Sequence, residues 1–580
     1  MANRRFLVTG ALPYSNGRLH VGHIAGAYLP ADIYVRYLRA AGDEVRFICG
    51  SDDNGVAALK TAREQNTTVQ ELTARFNRSQ QDSFAGLGIA FDIYGGTHQP
   101  GFTELHERIS QEMFLTIHKK GYFTKKTTRQ LYDIQVGQFL PDRFVRGTCP
   151  HCMSRNAYGD QCEDCGRSLD ALDLIDPIST QTGVRPEPRQ TVHWYLQLHR
   201  LQDRLAAWLR TKQQDGDLGP AWRPAVINFS LGQIENEGLP ERCMTRDLDW
   251  GVPVPLDDPD AKGKVLYVWF DAPIGYVSFT AKDCENRGEG WQAYERWWKD
   301  PDCRIVHFIG EDNTVFHAIT WPAMLLATHD SDSTQGERGE YQLPTTVCAN
   351  AFLNIKFPGK DEEKISKSRG TAIWIEEYLR RFDPDPLRYY LTAIAPENQR
   401  TAFDVDDFIQ RNNSELLATL GNLVNRTLTF AKKYFDGKVP APGQRTPMDG
   451  EHLALRRKTA DAVADHIEHF RFRAALEAAM ELARAGNRYF DATAPFKTRK
   501  TDPAACGRAI NVCLQTVRSL ATLFGPFLPF SARKILRQLG CGESALRWDA
   551  VDEELPPGHA LGDPEILYRK IDPAEFQPEE

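Results

Sequence analysis

The sequence predicts an α/β fold in which a parallel sheet is interrupted by a cysteine-rich insertion and followed by a region of helices. Short apolar runs alternate with helical stretches in residues 1–115, as they do in parallel sheets. Four closely spaced cysteines lie within residues 149–165 of the segment 116–250, where that alternation stops. From Asp404 onward apolar residues recur at helical spacing, so the rest of the chain is predicted to be α-helical.

Composition narrows the class of protein. Of 580 residues, 41% are hydrophobic and 26% charged, as in ordinary globular proteins, and the length suits about three or four domains. The sequence has no apolar run of about eighteen residues and no N-terminal basic and apolar signal segment. The net charge of −8 gives no global indication of nucleic-acid binding, so such contacts would come from local patches. We expect a cytoplasmic protein without membrane contact.

The first predicted strand, residues 6–8, leads through a turn into a helix that begins near two histidines. Turn formers occupy residues 13–17, and apolar residues recur at helical spacing over 24–38. His20 and His23 are therefore predicted on the first helical turn, on neighbouring positions of one face. Helix N-termini attract phosphate, and imidazoles could add donors there. Taken alone, the pattern also fits an ordinary strand–loop–helix with two surface histidines.

Four of the twelve cysteines form two CxxC pairs separated by nine residues, and these are Cys149, Cys152, Cys162 and Cys165. Zinc prefers four soft ligands in a tetrahedron, and closed four-cysteine sites are structural. A redox CxxC needs a helix start beside a strand, which this Gly- and Asp-rich segment does not offer. The pattern predicts one structural zinc ion.

A loop-like segment far downstream carries two lysines and two serines. In GKDEEKISKSRGTA these are Lys364, Ser366, Lys367 and Ser368, followed by Gly370. Taken alone, the segment is also typical of a solvated charged turn. HVGH near the N-terminus followed by KISKS, however, resembles the paired signature of class I aminoacyl-tRNA synthetases.

Within that class, the chain resembles the methionyl-tRNA synthetase family over nearly its whole length. The matching segments are ALPYSNG, HVGH, ADIYVRYLRAAGDEVRFICGSDD, LPDRFVRGTCPHC, YVWFDAPIGY, FIGEDNTVFH and KISKSRGT. The resemblance implies a Rossmann-type catalytic domain split by a connective insertion with a zinc knuckle, followed by an all-α anticodon-binding helical bundle. It also implies activation of methionine with ATP and transfer to the 3′-terminal ribose of tRNA(Met), both initiator and elongator.

The resemblance also suggests domain boundaries. We expect the first half of the catalytic domain at 1–115, the connective insertion at 116–250 with its knuckle at 145–170, the second half at 251–345, a stem-contact region with the KISKS loop at 346–403, the bundle at 404–548 and a C-terminal tail at 549–580. Independently, the strand-like runs KVLYVWF (264–270) and RIVHFIG (304–310) restore the sheet pattern after the insertion. Leu416, Leu420, Leu423 and Val424 trace one apolar stripe, and KVPAPGQRTP (438–447) predicts a linker between helices.

Roles for the ATP half of the site follow from the resemblance. Phosphoryl chemistry needs positioning and charge neutralisation more than covalent catalysis. His20, His23, Lys364 and Lys367 are the implied catalytic residues, and Mg²⁺ would accompany the pyrophosphate. The implied ATP-binding residues are His20, Gly22, His23, Gly310, Asp312, Lys364, Ser366, Lys367 and Ser368. One departure from the family is Glu311, where lysine is common among relatives.

A methionine site needs an apolar, aromatic wall, because a thioether offers little to hydrogen-bond and sulfur–aromatic contacts contribute only about 0.3–1.5 kcal/mol each. The resemblance supplies Asp52 as the ammonium anchor. The other implied pocket residues are Ala11, Leu12, Tyr14, Trp269, Ala272, Pro273, Tyr276 and His317. Asn313 departs from relatives that have an apolar residue there.

The helical region carries implied readers of the anticodon. Asn422 and Arg426 are four residues apart and so share a helix face, and both residue types can bind base edges. In APFK, Phe496 stands where the family has tryptophan, and an aromatic ring can still stack on a base. Without the resemblance, a polar stripe on a solvated helix would explain these residues.

Two other functions remain open. The chain resembles class I synthetases in general, but too few residues separate His23 from Lys364 to hold the editing insertion of the branched-chain enzymes beside the knuckle. A cysteine enzyme would use zinc at the substrate site, whereas here four cysteines fill the ligand positions. A non-catalytic, zinc-containing tRNA-binding derivative is disfavoured by the intact HVGH and KISKS motifs.

The last expectation concerns the oligomeric state of the protein. Many relatives continue past the bundle into an oligonucleotide-fold domain that binds tRNA and dimerises. After Trp548 this sequence has only an acidic stretch, too short for a five-stranded barrel, and no heptad run elsewhere offers a coiled-coil seam. We expect a monomer.

Overall fold

The computed structural model describes residues 4–141, 144–159, 162–165, 167, 169–217, 219–365 and 370–576. Its strands are β1 (Arg5–Gly10), β2 (Glu44–Ser51), β3 (Ile93–Gly96), β4 (Phe123–Asp133), β5 (Gln138–Phe139), β6 (Val145–Thr148), β7 (Ala157–Tyr158), β8 (Ile175–Ser179), β9 (Glu187–Leu196), β10 (Arg242–Cys243), β11 (Thr245–Arg246), β12 (Val265–Leu266), β13 (Cys303–Gly310), β14 (Thr346–Asn350), β15 (Leu353–Lys356), β16 (Glu363–Lys364) and β17 (Thr401–Asp404). Its α-helices are α1 (Val21–His23), α2 (Leu29–Ala40), α3 (Val56–Glu64), α4 (Val69–Gly86), α5 (Thr103–Lys119), α6 (Gln202–Thr211), α7 (Pro224–Gly232), α8 (Val268–Asn286), α9 (Glu295–Trp298), α10 (Trp321–Leu326), α11 (Ile375–Arg381), α12 (Pro384–Ala393), α13 (Val405–Arg411), α14 (Asn422–Tyr434), α15 (Pro447–Glu468), α16 (Phe472–Thr493), α17 (Pro495–Thr501), α18 (Pro503–Phe524) and α19 (Pro529–Gln538).

Five parallel strands form the central sheet in the order β14–β13–β1–β2–β3. Phe6 and Val8 of β1 join an apolar core with α2 on one face, whereas Leu7 joins a second core with α8 on the other. Burial on both faces explains why the strands are nearly continuous apolar runs. The predicted parallel sheet is confirmed, and strands from both sides of the insertion meet where β1 pairs with β13.

The run 304–310 forms β13, as predicted, but the prediction of a sheet strand over 264–270 is wrong. Only β12 is extended there, and it pairs with β11 outside the central sheet. Helix α8 starts at Val268 and packs on the sheet, where Gly50 and Gly95 leave room for Phe279. A Cβ on either glycine would lie within 2.8 Å of that ring. A short, continuous apolar run fits a buried helix as well as a buried strand.

Among the described residues, the segment between β3 and β13 contains the antiparallel sheets β10–β9–β4–β5 and β7–β6–β8 as well as the antiparallel pair β11–β12. Cys149 lies just after β6, and Cys162 forms an isolated antiparallel bridge with Ala157 of β7. The cysteine pairs are therefore held by the smaller sheet. The predicted interruption of the strand–helix alternation is confirmed.

The region after β17 is helical, as predicted. Leu416, Leu420, Leu423 and Val424 are all buried, which confirms the apolar stripe. The proline-rich linker lies between α14 and α15 and ends at the first residue of α15. Within the described ranges, none of the helices has the length and apolarity that crossing a membrane requires.

The C-terminal segment, described to residue 576, packs against the bundle through irregular backbone and short 3₁₀ turns. Its buried apolar side chains are Leu555, Leu561, Leu567, Tyr568 and Ile571. The side-chain amides of Asn412 and Asn413 donate to the carbonyls of Arg569 and Ile571 at 3.1 and 3.0 Å. The sequence showed only an acidic stretch here, because apolar residues in irregular backbone have no period to detect.

A buried ion pair joins the central sheet to the bundle. Arg388 of α12 is 1% exposed, and its Nη2 lies 2.7 Å from a carboxylate oxygen of Asp32 in α2. The same guanidinium donates to the carbonyls of Leu87, Pro526 and Phe527 at 2.8–3.1 Å. The two regions also share one continuous apolar core.

Candidate active site

A cleft lies at the carboxyl ends of β1 and β13, where the strand order reverses. Ligands of open α/β sheets bind at such a switch point. The N–H of Ala11 donates to the carbonyl of Phe308 at 2.9 Å. The N–H of Asp52 donates to the carbonyl of Pro13 at 2.9 Å, and the N–H of Ser15 donates back to the carbonyl of Asp52 at 3.1 Å. The loop after β1 is thereby fixed to both neighbouring strands.

His20 and His23 bind the backbone at the start of α1. Nδ1 of His20 accepts the N–H of Gly22 at 3.2 Å, and Nδ1 of His23 accepts the N–H of His20 at 3.1 Å. The predicted position of His20 on the first turn needs correction, because its extended backbone makes it the N-cap of that turn. The two rings lie with centroids 3.8 Å apart.

This capping arrangement determines which ring nitrogen carries the proton. An Nδ1 that accepts a hydrogen bond has no proton, so the neutral form of each imidazole is protonated on Nε2 and can donate from there. Gly22 between the histidines permits close packing, since a Cβ there would lie 3.1 Å from the His20 ring and from Cδ1 of Ile365. A π-helical stretch, Ile24–Tyr28, follows directly, as is frequent at functional sites.

One cavity of ≈ 410 Å³ brings the predicted site residues together. All nine predicted for methionine line it, and these are Ala11, Leu12, Tyr14, Asp52, Trp269, Ala272, Pro273, Tyr276 and His317. Six of those predicted for ATP line it too, and these are His20, Gly22, His23, Gly310, Asp312 and Lys364. The other three, Ser366, Lys367 and Ser368, lie outside the described residues.

The aromatic part of the cavity presents an apolar surface. Trp269 stacks on Phe316 with centroids 3.5 Å apart. Nδ1 of His317 donates to the carbonyl of Asn313 at 3.1 Å, so its Nε2 accepts the Tyr276 hydroxyl at 2.9 Å. Burial lowers the pKa of His317 to about 4, so the ring is neutral at pH 7. With these polar atoms satisfied by each other, the wall suits a thioether.

Asp52 supplies the anionic group of the same cavity. It is 5% exposed, and its Oδ1 has no hydrogen-bond partner within the described structure. Burial, together with the nearby Asp271 and Asp53, raises the pKa of Asp52 well above its usual range. A primary ammonium bound there would supply the missing donor and favour the ionised carboxylate.

A layer of buried polar side chains lies behind Asp52, and the sequence did not indicate it. Oδ2 of Asp271 accepts the Asn54 amide at 2.6 Å and lies 3.4 Å from Nε2 of His106. Nδ1 of His106 is 3.0 Å from the Ser278 hydroxyl, and both His106 and Asp271 are fully buried. Asp271 lies within the family-like segment YVWFDAPIGY, but nothing in its local pattern indicates a partner 165 residues away.

The part of the cavity where ATP binding is predicted lies beside the histidines and the end of β13. Burial raises the pKa of Asp312, whose Oδ1 accepts the Asn313 amide at 3.2 Å. A Cβ on Gly310 would lie 2.7 Å from that oxygen, so a larger residue there would displace the Asp312 carboxylate. The backbone after the KISKS motif lies next to the histidine-bearing turn, because the carbonyl of Ile373 accepts the N–H of Val21 at 3.1 Å.

A second cavity of ≈ 880 Å³ adjoins the first, with Tyr14, Asn16 and Trp269 lining both. It lies between the central sheet and the inserted antiparallel sheets. Its basic and aromatic lining includes Lys60, Arg129, Arg246, Tyr195 and Tyr267. The Arg246 guanidinium lies 3.9 Å from the centroid of Tyr267. These residues come from distant segments, so no sequence motif indicated this cavity.

The four predicted metal ligands form one cluster. The sulfur atoms of Cys149, Cys152, Cys162 and Cys165 all lie within 4.8 Å of one another. Backbone N–H groups of Cys152 and His151 more than offset partial burial and lower the pKa of Cys149. His151 contributes its backbone and not its ring to this contact. Four converging sulfurs are a donor set that can hold one metal ion.

The structure also relates the three predicted anticodon residues. Arg426 of α14 lies 2.8 Å from Asp491 and donates to the carbonyl of Asn487 at 2.9 Å, both on α16. Asn422 is exposed at the start of α14. Phe496 is 53% exposed on α17, after a left-handed turn at the end of α16. The exposed ring of Phe496 and the exposed amide of Asn422 can bind single-stranded bases, whereas Arg426 is partly buried against α16.

Models of protein families match almost the whole chain. Residues 6–428 match the class I tRNA synthetases of the methionine type, and residues 439–578 match the anticodon-binding domain of methionyl tRNA ligase. The two matches divide the chain between β17 and α15, within the helical region.

Individual proteins similar to the chain are named as members of the same family. The chain is 44% identical to methionine--tRNA ligase of Porphyromonas gingivalis over 98% of the chain and 79% of the relative. It is also 44% identical to that of Pyrococcus abyssi, over 98% and 76%. A crystal structure of Mycobacterium tuberculosis methionyl-tRNA synthetase bound by methionyl-adenylate superposes with a TM-score of 0.77 at 26% identity, covering 98% of this chain and 100% of that one. The chain therefore belongs to the methionyl-tRNA synthetase family of class I aminoacyl-tRNA synthetases, the methionine--tRNA ligases.

Proposed function

We propose that the 410 Å³ cavity is where methionine and ATP react to form methionyl adenylate. The observation that carries this assignment is that one cavity at the switch point of the sheet combines two different surfaces. One is an aromatic wall with a buried carboxylate, and the other is a pair of imidazole donors together with Lys364. The first suits an amino acid with an apolar side chain, and the second suits a polyphosphate.

Methionine binds with its ammonium at Asp52 and its thioether against Trp269 and Tyr276. The carboxylate of methionine then points toward the histidines, where it attacks the α-phosphate of ATP and expels pyrophosphate. Size discrimination against a side chain one methylene shorter is limited to about 1–3 kcal/mol. Because Tyr276 and His317 satisfy each other, a polar side chain finds no unpaired partner in this wall, which adds to the discrimination.

The histidines and the lysines stabilise charge on the phosphates. His20 and His23 donate from Nε2, and Lys364 adds a cation in the same cavity. Lys367, with Ser366 and Ser368, completes the triphosphate contacts as the KISKS segment. Asp312 binds the ribose of ATP, and Gly22 leaves room for the adenine. Mg²⁺ is the cation that accompanies the pyrophosphate.

The 3′ end of tRNA reaches the adenylate through the second cavity. A ribose hydroxyl must approach the acyl carbon, and the second cavity opens directly onto the first at Tyr14 and Trp269. Lys60, Arg129 and Arg246 can contact phosphates, and aromatic rings can stack on unpaired bases.

Zinc is the metal for the four-cysteine cluster. Four thiolates at about 2.3 Å from zinc in a tetrahedron lie about 3.8 Å apart. The Cys149–Cys165 and Cys152–Cys162 sulfur distances are 3.9 and 3.6 Å. When bound, the metal ties the two knuckles of the small sheet together and takes no part in the chemistry.

At the other end of the molecule, Asn422, Arg426 and Phe496 recognise the anticodon shared by initiator and elongator tRNA(Met). The domains divide at the boundaries predicted from the sequence, and the protein acts in the cytoplasm as a monomer. Light scattering of the free protein tests the oligomeric state, and a stable dimer would contradict a monomer.

The proposed function is tested by amino-acid-dependent exchange of pyrophosphate into ATP, followed by charging of tRNA. We expect exchange with methionine and not with leucine, isoleucine, valine or cysteine, and charging of both initiator and elongator tRNA(Met). Exchange that depends on a different amino acid would assign the chain another substrate. Binding of tRNA without any exchange would instead favour a non-catalytic derivative.

A further inference from the structure

The KISKS motif begins at one strand of a small sheet, β16–β15–β17, and Lys364 is the last residue of β16. Leu353 of β15 pairs in parallel with Thr401 of β17. The residues just before this pair, Phe352 and Arg400, are therefore neighbours at the same edge of the sheet. That edge faces the carboxyl end of β13.

Phe352 is in contact with two cations at this edge. The Arg400 guanidinium carbon lies 5.5 Å from the centroid of its ring, and Nζ of Lys364 lies 5.6 Å from it. Phe352 and Lys364 both line the 410 Å³ cavity. Both cations lie within the range in which a positive charge is attracted by an aromatic face.

Arg400 also reaches across to the central sheet. Its Nε and Nη2 donate to Oε1 of Glu311 at 3.2 and 3.1 Å. Glu311 directly follows β13 and precedes Asp312, which lines the cavity and whose carboxyl is influenced by the Glu311 charge. Arg400 is thus one contact that pairs the KISKS-bearing sheet with the ATP half of the cleft.

We propose that Arg400 is a positioning residue for the ATP half of the reaction, a role that rests on the proposed function. It holds Phe352 as the surface against which Lys364 lies, and it pairs a carboxylate that would otherwise repel the phosphates. Two cations at one edge also raise the local positive potential, which favours a polyphosphate. Arg400 acts through Phe352 and Glu311, so it affects ATP and leaves the methionine wall unchanged.

The experiment compares Arg400→Ala, Arg400→Lys, Glu311→Gln/Arg400→Ala and the control Arg338→Ala by methionine-dependent pyrophosphate exchange. Arg338 matches Arg400, because both are 63% exposed and both pair with acids, Asp300 and Asp302 for Arg338. We expect Arg400→Ala to raise the KM for ATP about five-fold, the combined size of an exposed ion pair and a cation–π contact. The KM for methionine should stay within about two-fold.

The other variants separate positioning from simple charge neutralisation. Arg400→Lys keeps a cation near both partners, so its KM for ATP should return most of the way to that of the unsubstituted protein. Arg338→Ala should leave the KM for ATP unchanged. The KM for ATP of Glu311→Gln/Arg400→Ala should remain raised, because removing the Glu311 charge does not restore the cation beside Phe352. The proposal is overturned if Arg400→Ala changes neither KM, if both KM values rise together, or if the double variant recovers fully. Failure of the proposed function is a different result, since the unsubstituted protein would then show no methionine-dependent exchange.

Discussion

At the scale of single residues, three buried carboxylates near the cavity differ in their partners and in their access to the cavity. Asp53 accepts from Ser51 and from a backbone N–H, and Asp271 is bound by Asn54 and His106. Asp52 and Asp271 each have one oxygen without a partner in the described structure, but of the three carboxylates only Asp52 lines the cavity. Burial disfavours the charged form of Asp52 until a cation arrives. Ammonium binding and ionisation of Asp52 are therefore linked.

Replacing Asp52 with asparagine should weaken methionine binding selectively. The change keeps the shape of the side chain but removes the charge that the ammonium needs. A hydrogen bond to a charged group contributes about 1.5–3 kcal/mol, so the KM for methionine should rise roughly 10–100-fold. Pyrophosphate exchange at varied methionine and varied ATP measures both constants.

Asp53→Asn is the matched control, because Asp53 adjoins Asp52 but does not line the cavity. We expect it to lower thermal stability and to change the two KM values by similar factors. An Asp52→Asn variant with an unchanged KM for methionine would remove Asp52 from the ammonium site.

The sequence allowed half of the residues that line the cavity to be predicted, but not the other half or the residues behind them. Motif residues such as His20 and Asp312 stand in recognisable local patterns. His106 and Phe352 do not, because their roles come from contacts between segments far apart in the chain. The same limit applies to Arg400, whose pairing with Glu311 depends on how two sheets meet.

At the scale of elements, the spacing of apolar residues predicted the amphipathic helices correctly. It failed for helices that are buried on both faces. The stripe through Leu416 and Leu420 is confirmed, because one side of that helix faces solvent. Helix α8 buries fourteen of its nineteen residues, so its sequence carries almost no helical period and resembles a strand. The π-helical stretches beside the cavity could not be predicted, because one extra residue in a turn leaves no local signal.

The cysteine cluster allows a prediction for one element. Cys149→Ser should abolish metal binding by the small sheet, because a closed tetrahedral site does not tolerate loss of a thiolate. Structural zinc can contribute on the order of 10 kcal/mol to local folding, so the sheet should unfold locally. We expect less bound zinc, faster proteolysis within residues 144–179 and weaker tRNA charging. Metal analysis, limited proteolysis and charging assays measure these effects.

Cys243→Ser is the control for this change, since Cys243 lies on β10 outside the cluster. It should retain zinc and full charging. Zinc loss in Cys149→Ser without any change in proteolysis or charging would show that the metal does not support this sheet.

At the scale of the whole molecule, Arg388 connects the helix behind the histidines to the bundle that carries the proposed anticodon residues. Its guanidinium pairs with Asp32 and donates to carbonyls on both sides of the junction. The distance between the adenylate site and the anticodon residues depends on this junction. A rigid junction lets one tRNA occupy both sites at once.

Arg388→Met should loosen the junction while leaving the cavity intact. Removing one partner of a buried ion pair costs about 3–5 kcal/mol, and here it also leaves three carbonyls without their donor. We expect the Tm to fall by several degrees and tRNA charging to fall more than pyrophosphate exchange, because exchange needs only the cavity. Thermal unfolding and the two activity assays measure these quantities.

Arg36→Met is the matched control, because Arg36 pairs with the same Asp32 carboxylate at 2.7 Å but is 17% exposed and does not reach the bundle carbonyls. Arg36→Met leaves Arg388 with Asp32 and leaves the bundle carbonyls with their donor, so it should cost less stability than Arg388→Met, and its two activities should change together. If both variants lose equal stability, the junction is not what Arg388 stabilises. If charging and exchange fall in parallel in Arg388→Met, the guanidinium supports the fold of the catalytic sheet and not the spacing between the two tRNA-binding sites.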